Sequence, residues 1–381
     1  MQQYAAAATL ASNDPEFFSH EYRATCLKIT RTGIDDIRGA PPEKLFLNSL
    51  PEYGEGELHV FASGPMSGQA GRGIRDEMPY ALRAYDELLA AVCRIMDSAG
   101  NGKPRAENMD IAVFGAIQSL ERNPDALLCI PRIRRGDNYT YTHCANVAVL
   151  LASFALRSGA GGKQVVAYAL AGLLHDLGMA LLPVALLNAK RKLSDTEKTL
   201  VRRHPKLGCD LMSSIGTVHD EIARAAFEHH ERYNGSGYPR GLSGDAISVM
   251  GHIAGIADTY DALSSRRPYK GALFPHRTLG IMYQMRKKQF HPVILEKFVR
   301  LVGIYPVGSV VELQDGYRGV VTGSNYANPI QPVVTLALDP DGHAMCLHEC
   351  DLAKDGVAGI ARCLPPETSG IDPGRVLGIA L

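Results

Sequence analysis

From residue 77 to residue 302, apolar side chains recur every third or fourth position, segment after segment, with glycine and proline at the breaks. That period places a stripe on one face of a helix, and such stripes are buried by packing helix on helix. Leu82, Tyr85, Leu88, Leu89, Val92, Ile95 and Met96 predict a long amphipathic helix ending near Gly100, and Ile111, Phe114, Ile117 and Leu120 a second before Asn123-Pro124. Asp137 is placed to open a third, which carries His143, Val147, Leu150, Leu151 and Phe154 toward Gly159. Residues 163–177 form another apolar helix with His175-Asp176 near its end and Gly178 just beyond. Ser194 and Glu197 have capping-box spacing and start a helix leading to His204. Pro205 disfavours helical geometry at His204 and begins a new helix, so the imidazole is aimed out of a bend. A helix at 221–230 runs into His229-His230 and a glycine-rich loop, Asp258 rides on the next helix, and further helices are expected at 278–288 and 292–302.

The flanks read differently. Residues 1–75 hold two strand-like stretches and a glycine-rich connection, which suggests a small N-terminal α/β module of unknown role. Beyond residue 305 the period becomes that of strands, at 310–313, 319–322 and 333–338, with a turn at 339–342. The expected organisation is therefore an N-terminal module (1–75), connecting helices (76–136), a helical catalytic domain (137–304) and a small β-rich extension (305–381).

Forty basic residues balance forty acidic ones, so no global field draws the chain to polymeric nucleic acid or an anionic membrane. No apolar run approaches a membrane span on this reading, and no basic segment precedes the alanines near the start, as in a signal peptide. A cytoplasmic location is expected. The eight cysteines include no Cys-x-x-Cys pair, which disfavours a disulfide framework or a zinc ribbon. Cys346 to Cys350 fits alternate residues of a strand.

The residues that carry chemistry come from successive helices: His143, His175, Asp176, His204, His229, His230 and Asp258. Each alone fits a satisfied core side chain. Together, at helix ends or bends and followed by a loop whose glycines admit close approach of backbone, they point to metal. Five imidazoles and two carboxylates suit two divalent ions bridged by a carboxylate and a solvent oxygen, with Asp176 the candidate bridge. Without a thiolate, the donors suit iron, manganese or zinc, iron being the first expectation. The residual positive charge would attract a phosphodiester.

Leu173-Leu174-His175-Asp176-Leu177-Gly178, His204-Pro205, His229-His230-Glu231 to Gly237-Tyr238-Pro239, and Asp258 to Arg267-Pro268-Tyr269-Lys270 together resemble the HD-GYP family, a branch of the HD phosphohydrolases. The resemblance covers residues 138–302. It implies a mainly α fold with an HD-type helical bundle, a metal cluster, and hydrolysis of the bacterial messenger cyclic di-GMP by a metal-bridging hydroxide. It gives the seven residues above the ligand role, with His175 and Asp176 at the catalytic centre. Arg267 and Lys270 inherit phosphate contact, a role suited to charged donors. Gly237 and Tyr238 would shape the substrate pocket. A second copy of the chain, and a diguanylate cyclase or another signalling protein, are candidate partners.

Two departures from the family pattern bear on activity. Met179 stands where the family usually has lysine, and a thioether can neither donate a hydrogen bond nor neutralise charge. Tyr139 stands where members with three metals carry glutamate, one turn before His143. Two metals and the linear product pGpG are therefore expected. A weakly active cyclic di-GMP sensor, or a hydrolase of another cyclic dinucleotide or nucleotide, are the alternatives.

Overall fold

The computed structural model describes residues 72–133, 139–189, 191–216, 218–265, 274–354, 356 and 358–379. Residues 1–71 of the expected N-terminal module, the helix start at Asp137, and the Arg267 and Lys270 sites lie outside the described residues, and the first helix begins at Ile74, inside the range expected for that module. What is described is mainly helical with a small antiparallel sheet at the C-terminal end.

Helix α1 (Ile74–Gly100) buries Met78, Ala81, Tyr85, Leu88, Val92, Ile95, Met96 and Ala99, a helical stripe that packs on α2 (Met109–Arg122) and α3 (Pro124–Ile133). A fully buried carboxylate fastens the first pair. Glu77 accepts two hydrogen bonds from Arg122, both at 2.8 Å, and one from Ser119 Oγ at 2.9 Å. A charge removed from water needs such a bidentate partner. Helix α3 is absent from the sequence reading because Pro124 looks like a stop. It occupies the first turn instead, where its missing N–H costs nothing.

The central layer is α4 (Tyr139–Arg157) against α5 (Gly162–Leu174). The stretch Gly162–Leu181 has the length and apolar composition of a membrane crossing, which corrects the expectation that no run comes close. Of its apolar window, 67% is buried inside the fold, so packing against α4 already accounts for the composition. After α5 come a 3₁₀ turn (Leu177–Leu181), α6 (Asp195–Val201), α7 (His204–Ile215) and α8 (Asp220–Glu228). The capping box forms at α6, with Glu197 N–H donating to Ser194 Oγ and Ser194 N–H to Glu197 Oε2. Helix α7 begins at His204 itself, with Pro205 in its first turn.

Helices α9 (Val249–Ser264), α10 (Pro275–Gln284) and α11 (Pro292–Val302) complete the bundle, α10 ending four residues earlier than the periodicity suggests. The sheet runs in the order β4-β3-β2-β1-β5, from β1 (Val310–Leu313), β2 (Arg318–Gly323), β3 (Val333–Leu338), β4 (Ala344–Asp351) and β5 (Ile360–Leu364). Cys346 to Cys350 lies on β4, an edge strand, and the cysteines among the described residues are free thiols. The sheet docks on α3, where Asp125 accepts from Ser324 N–H and Oγ–H and Arg132 donates to the Val307 carbonyl. Val311, Val320 and Val321 join Leu127 and Ile130 in one continuous buried cluster.

Candidate metal centre

The seven ligand-type residues converge from five segments of chain. His143 comes from α4, His175 caps the C-terminus of α5, and Asp176 follows in the turn. His204 opens α7, His229 caps α8 with His230 next, and Asp258 sits on α9. Donor atoms of Asp176, His204, His229 and His230 lie within 4.8 Å of one another, as do those of His143, His175 and Asp258.

Asp176 stands between these two groups. Its Oδ1 is 3.1 Å from His204 Nε2 and 3.7 Å from His229 Nε2, whereas its Oδ2 is 3.5 Å from His175 Nε2 and 4.0 Å from His143 Nε2. Asp258 is divided in the same way, with Oδ1 3.2 Å from His143 Nε2 and Oδ2 3.8 Å from His230 Nδ1. Each carboxylate therefore offers one oxygen to either side, the placement that bridging requires.

The tautomers point the same way. His175, His204 and His229 each hold Nδ1 against the carbonyl three residues earlier, at 2.8, 2.7 and 2.6 Å. A carbonyl only accepts, so Nδ1 carries the proton and each Nε2 keeps a lone pair. His175 Nε2 is buried with no hydrogen-bond partner, a costly state for an acceptor that a cation relieves. Burial, followed by the surrounding imidazoles, lowers the His229 pKa to about 3 and that of His230 well below the ordinary imidazole value. Burial resists ionisation of Asp176 and Asp258, but the histidines around them outweigh it and hold both below the usual carboxylate range. His143 and His204 shift the other way: burial opposes protonation there too, but Tyr139, Asp258 and Asp261 outweigh it at His143 and Asp176 at His204, so metal binding at those two rings would release protons. The His/Asp clusters can thus hold divalent metal, and nitrogen and oxygen donors in two groups fit two ions.

Backbone contact explains two of the glycines. A Cβ on Gly178 would strike the His204 carbonyl, so this glycine lets the Asp176 turn lie directly on the start of α7. A Cβ on Gly237 would strike the backbone of Glu231 and Arg232, so the loop folds back under His230 only because residue 237 has no side chain. Tyr238 then stacks on His230 with ring centroids 4.6 Å apart, and its N–H donates to the His230 carbonyl. Arg202 lies over the other ring partner, 5.2 Å from the Tyr238 centroid. Tyr139 stacks on His143 at 5.5 Å.

Several residues around the site escaped the sequence reading. Glu228, fully buried, accepts from Arg224, Arg240 and the Ser248 N–H. Glu231 accepts from the N–H groups of Arg240 and Leu242 and so closes the loop. Asp261 receives the Nδ1–H of His143 at 2.6 Å. Asp261 follows Asp258 by three positions on the same helix face, a spacing legible in the sequence.

Residues 128–294 match the HD domain family. Over these residues the helical core has the sequence of an HD domain. The order of its motifs, from His175-Asp176 through His204-Pro205 and His229-His230 to Gly237-Tyr238-Pro239, is that of the HD-GYP branch. The chain is 37% identical over 263 residues to a cyclic di-GMP phosphodiesterase of Pseudomonas aeruginosa, covering 68% of this chain and 63% of the relative. It is 32% identical over 230 residues to a cyclic di-GMP phosphodiesterase response regulator of Xanthomonas campestris, covering 60% of each. A 3'3'-cGAMP-specific phosphodiesterase of Vibrio cholerae is 33% identical over 159 residues, which cover 41% of this chain and 36% of that one. The chain thus spans less than two thirds of the length of these relatives.

Proposed function

We propose that this chain is a metal-dependent phosphodiesterase that hydrolyses cyclic di-GMP to linear pGpG. The observation that carries the reading is the division of Asp176, whose two oxygens face different groups of histidines. The names of the two most extensively matched relatives described above supply the substrate. Two divalent ions, iron first and manganese or zinc as alternatives, would when bound acidify water for attack on phosphorus and neutralise charge on the phosphoryl oxygens. His143 and His175 with Asp258 would hold one ion, and His204, His229 and His230 with Asp176 the other, the carboxylates spanning both. The Tyr238 ring, stacked on His230 and contacted by Arg202, would form a wall of the pocket. Arg267 and Lys270 would hold a phosphate.

Protein reconstituted anaerobically with iron or manganese and incubated with cyclic di-GMP tests the reading, with pGpG as the expected product. Full metal content without pGpG refutes it. Met179 favours a second reading, a nucleotide-binding sensor of low turnover, because no ammonium follows the His-Asp pair in the 3₁₀ turn. Measurable nucleotide affinity with negligible hydrolysis would establish that alternative. The resemblance to a cGAMP-specific enzyme supports a third, which a panel of cyclic dinucleotides at equal metal loading separates.

A further inference from the structure

His143 is anchored differently from the other histidines whose Nδ1 atoms are tied down. For His175 and His229 the anchor is a carbonyl of the helix that each caps, and for His204 it is the Val201 carbonyl at the end of α6, three residues earlier, so the geometry is local. For His143 the anchor is Asp261 on α9, which also receives Asn146 Nδ2–H at 2.8 Å and Ser265 Oγ–H at 2.9 Å on its other oxygen. Asn146 in turn accepts the hydroxyl of Tyr85 on its Oδ1 at 2.6 Å. Tyr85 belongs to α1 and lies outside residues 128–294, the part matched to the HD domain family. His143, Asn146, Asp261 and Tyr85 are exposed by no more than 4%, so water does not substitute for any of these bonds at the surface.

We propose that Tyr85, acting through Asn146 and Asp261, is a positioning residue that holds His143 in the tautomer and orientation for metal binding. The chain of bonds has a direction. A carboxylate only accepts, so Asp261 requires the amide nitrogen of Asn146 and the Nδ1–H of His143 to face it. The Tyr85 hydroxyl occupies the amide oxygen and opposes the flipped amide, which would set oxygen against carboxylate. With Asp261 held this way, His143 turns Nε2 toward Asp258 Oδ1, 3.2 Å away, and the centre, so this nitrogen is the one left for a metal. Outer partners of this kind fix the ring of a ligating histidine and raise its basicity. The connecting helix α1 therefore contributes to a ligand of the site without touching it.

The inference rests on the metal reading given above, and manganese binding to the full chain, measured by competition with a chromogenic chelator, separates the two. Loss of the hydroxyl in Tyr85→Phe is expected to weaken manganese binding at one site about threefold to tenfold, and Asn146→Asp about 10- to 100-fold, the range for outer partners of a ligand. Tyr260→Phe removes another buried hydroxyl, bonded to Arg132 and off this route, and is expected to bind manganese as the unaltered chain does. Unaltered affinity in both Tyr85→Phe and Asn146→Asp overturns the proposal, as does an equal loss in Tyr260→Phe, which would signal general loosening of the core. Should Tyr85→Phe fail to fold, Asn146→Asp decides. A wild-type chain that binds no manganese, iron or zinc overturns the metal reading and this one with it.

Discussion

His204 and His229 hold their Nε2 atoms 3.3 Å apart, although each donates its Nδ1–H to the carbonyl three residues earlier. When both rings are neutral, two lone pairs face each other at that distance and repel, and a cation between them reverses the sign. Divalent metal is therefore expected to raise the thermal midpoint. At free metal about a hundred times Kd the gain is about 2.7 kcal/mol, and chelation should remove it. An unchanged midpoint with and without chelator would show that nothing occupies this gap.

Asp176→Asn keeps the shape of the side chain and removes the charge that faces both histidine groups. Metal content, read by elemental analysis, should fall below two per chain, and cyclic di-GMP hydrolysis by more than about 100-fold. Wild-type turnover with two bound metals would remove Asp176 from the centre.

Gly237→Ala pushes a methyl group into the backbone of Glu231 and Arg232. Denaturant titration should show a loss of about 1–3 kcal/mol, the cost of overpacking a closed site. Gly241, with φ of 68° and its nearest neighbour at 3.4 Å, has strain but space, so Gly241→Ala should cost less, about 1 kcal/mol. A smaller loss at 237 than at 241 would contradict the contact.

Met179→Lys restores an ammonium to the turn that follows Asp176. If that donor limits the chemistry, turnover of cyclic di-GMP at constant metal content should rise by about 100- to 1000-fold, as for one electrostatic donor at a reacting centre. Equal rates would assign any low activity to another cause.

His252 is buried, accepts no acid partner, and bonds the Gly244 carbonyl through Nε2. Burial lowers its pKa from 6.5 to about 4. Between those values the unfolded chain binds more protons than the folded one, so stability is full above pH 6.5 and is lost as pH falls through 4. The loss amounts to about 3 kcal/mol. Denaturant midpoints across this window should have a shallower slope in His252→Gln than in the unaltered chain.

The apolar stripe of α1, the capping box at Ser194 and Glu197, and the helix ends at His175 and His229 are local, and the sequence displays them. Proline at the start of α3 and the edge placement of β4 are not local. Pro124 stops one helix and starts the next with the same geometry, and an edge strand is defined by which neighbour it lacks.

The same division runs through the site. The seven ligand-type residues were nameable in advance because imidazole and carboxylate chemistry needs no partner to be recognised, and because their motifs recur in a known order. Tertiary structure alone decided which oxygen of Asp176 faces which histidines, since that depends on how α4, α5 and α7 approach one another across Gly178. It also decided that His143 leans on Asp261, Asn146 and finally Tyr85, fifty-eight positions upstream. The Tyr85–Asn146 hydrogen bond, which spans 61 positions, leaves no periodic trace in the chain, because its geometry exists only once the helices have packed.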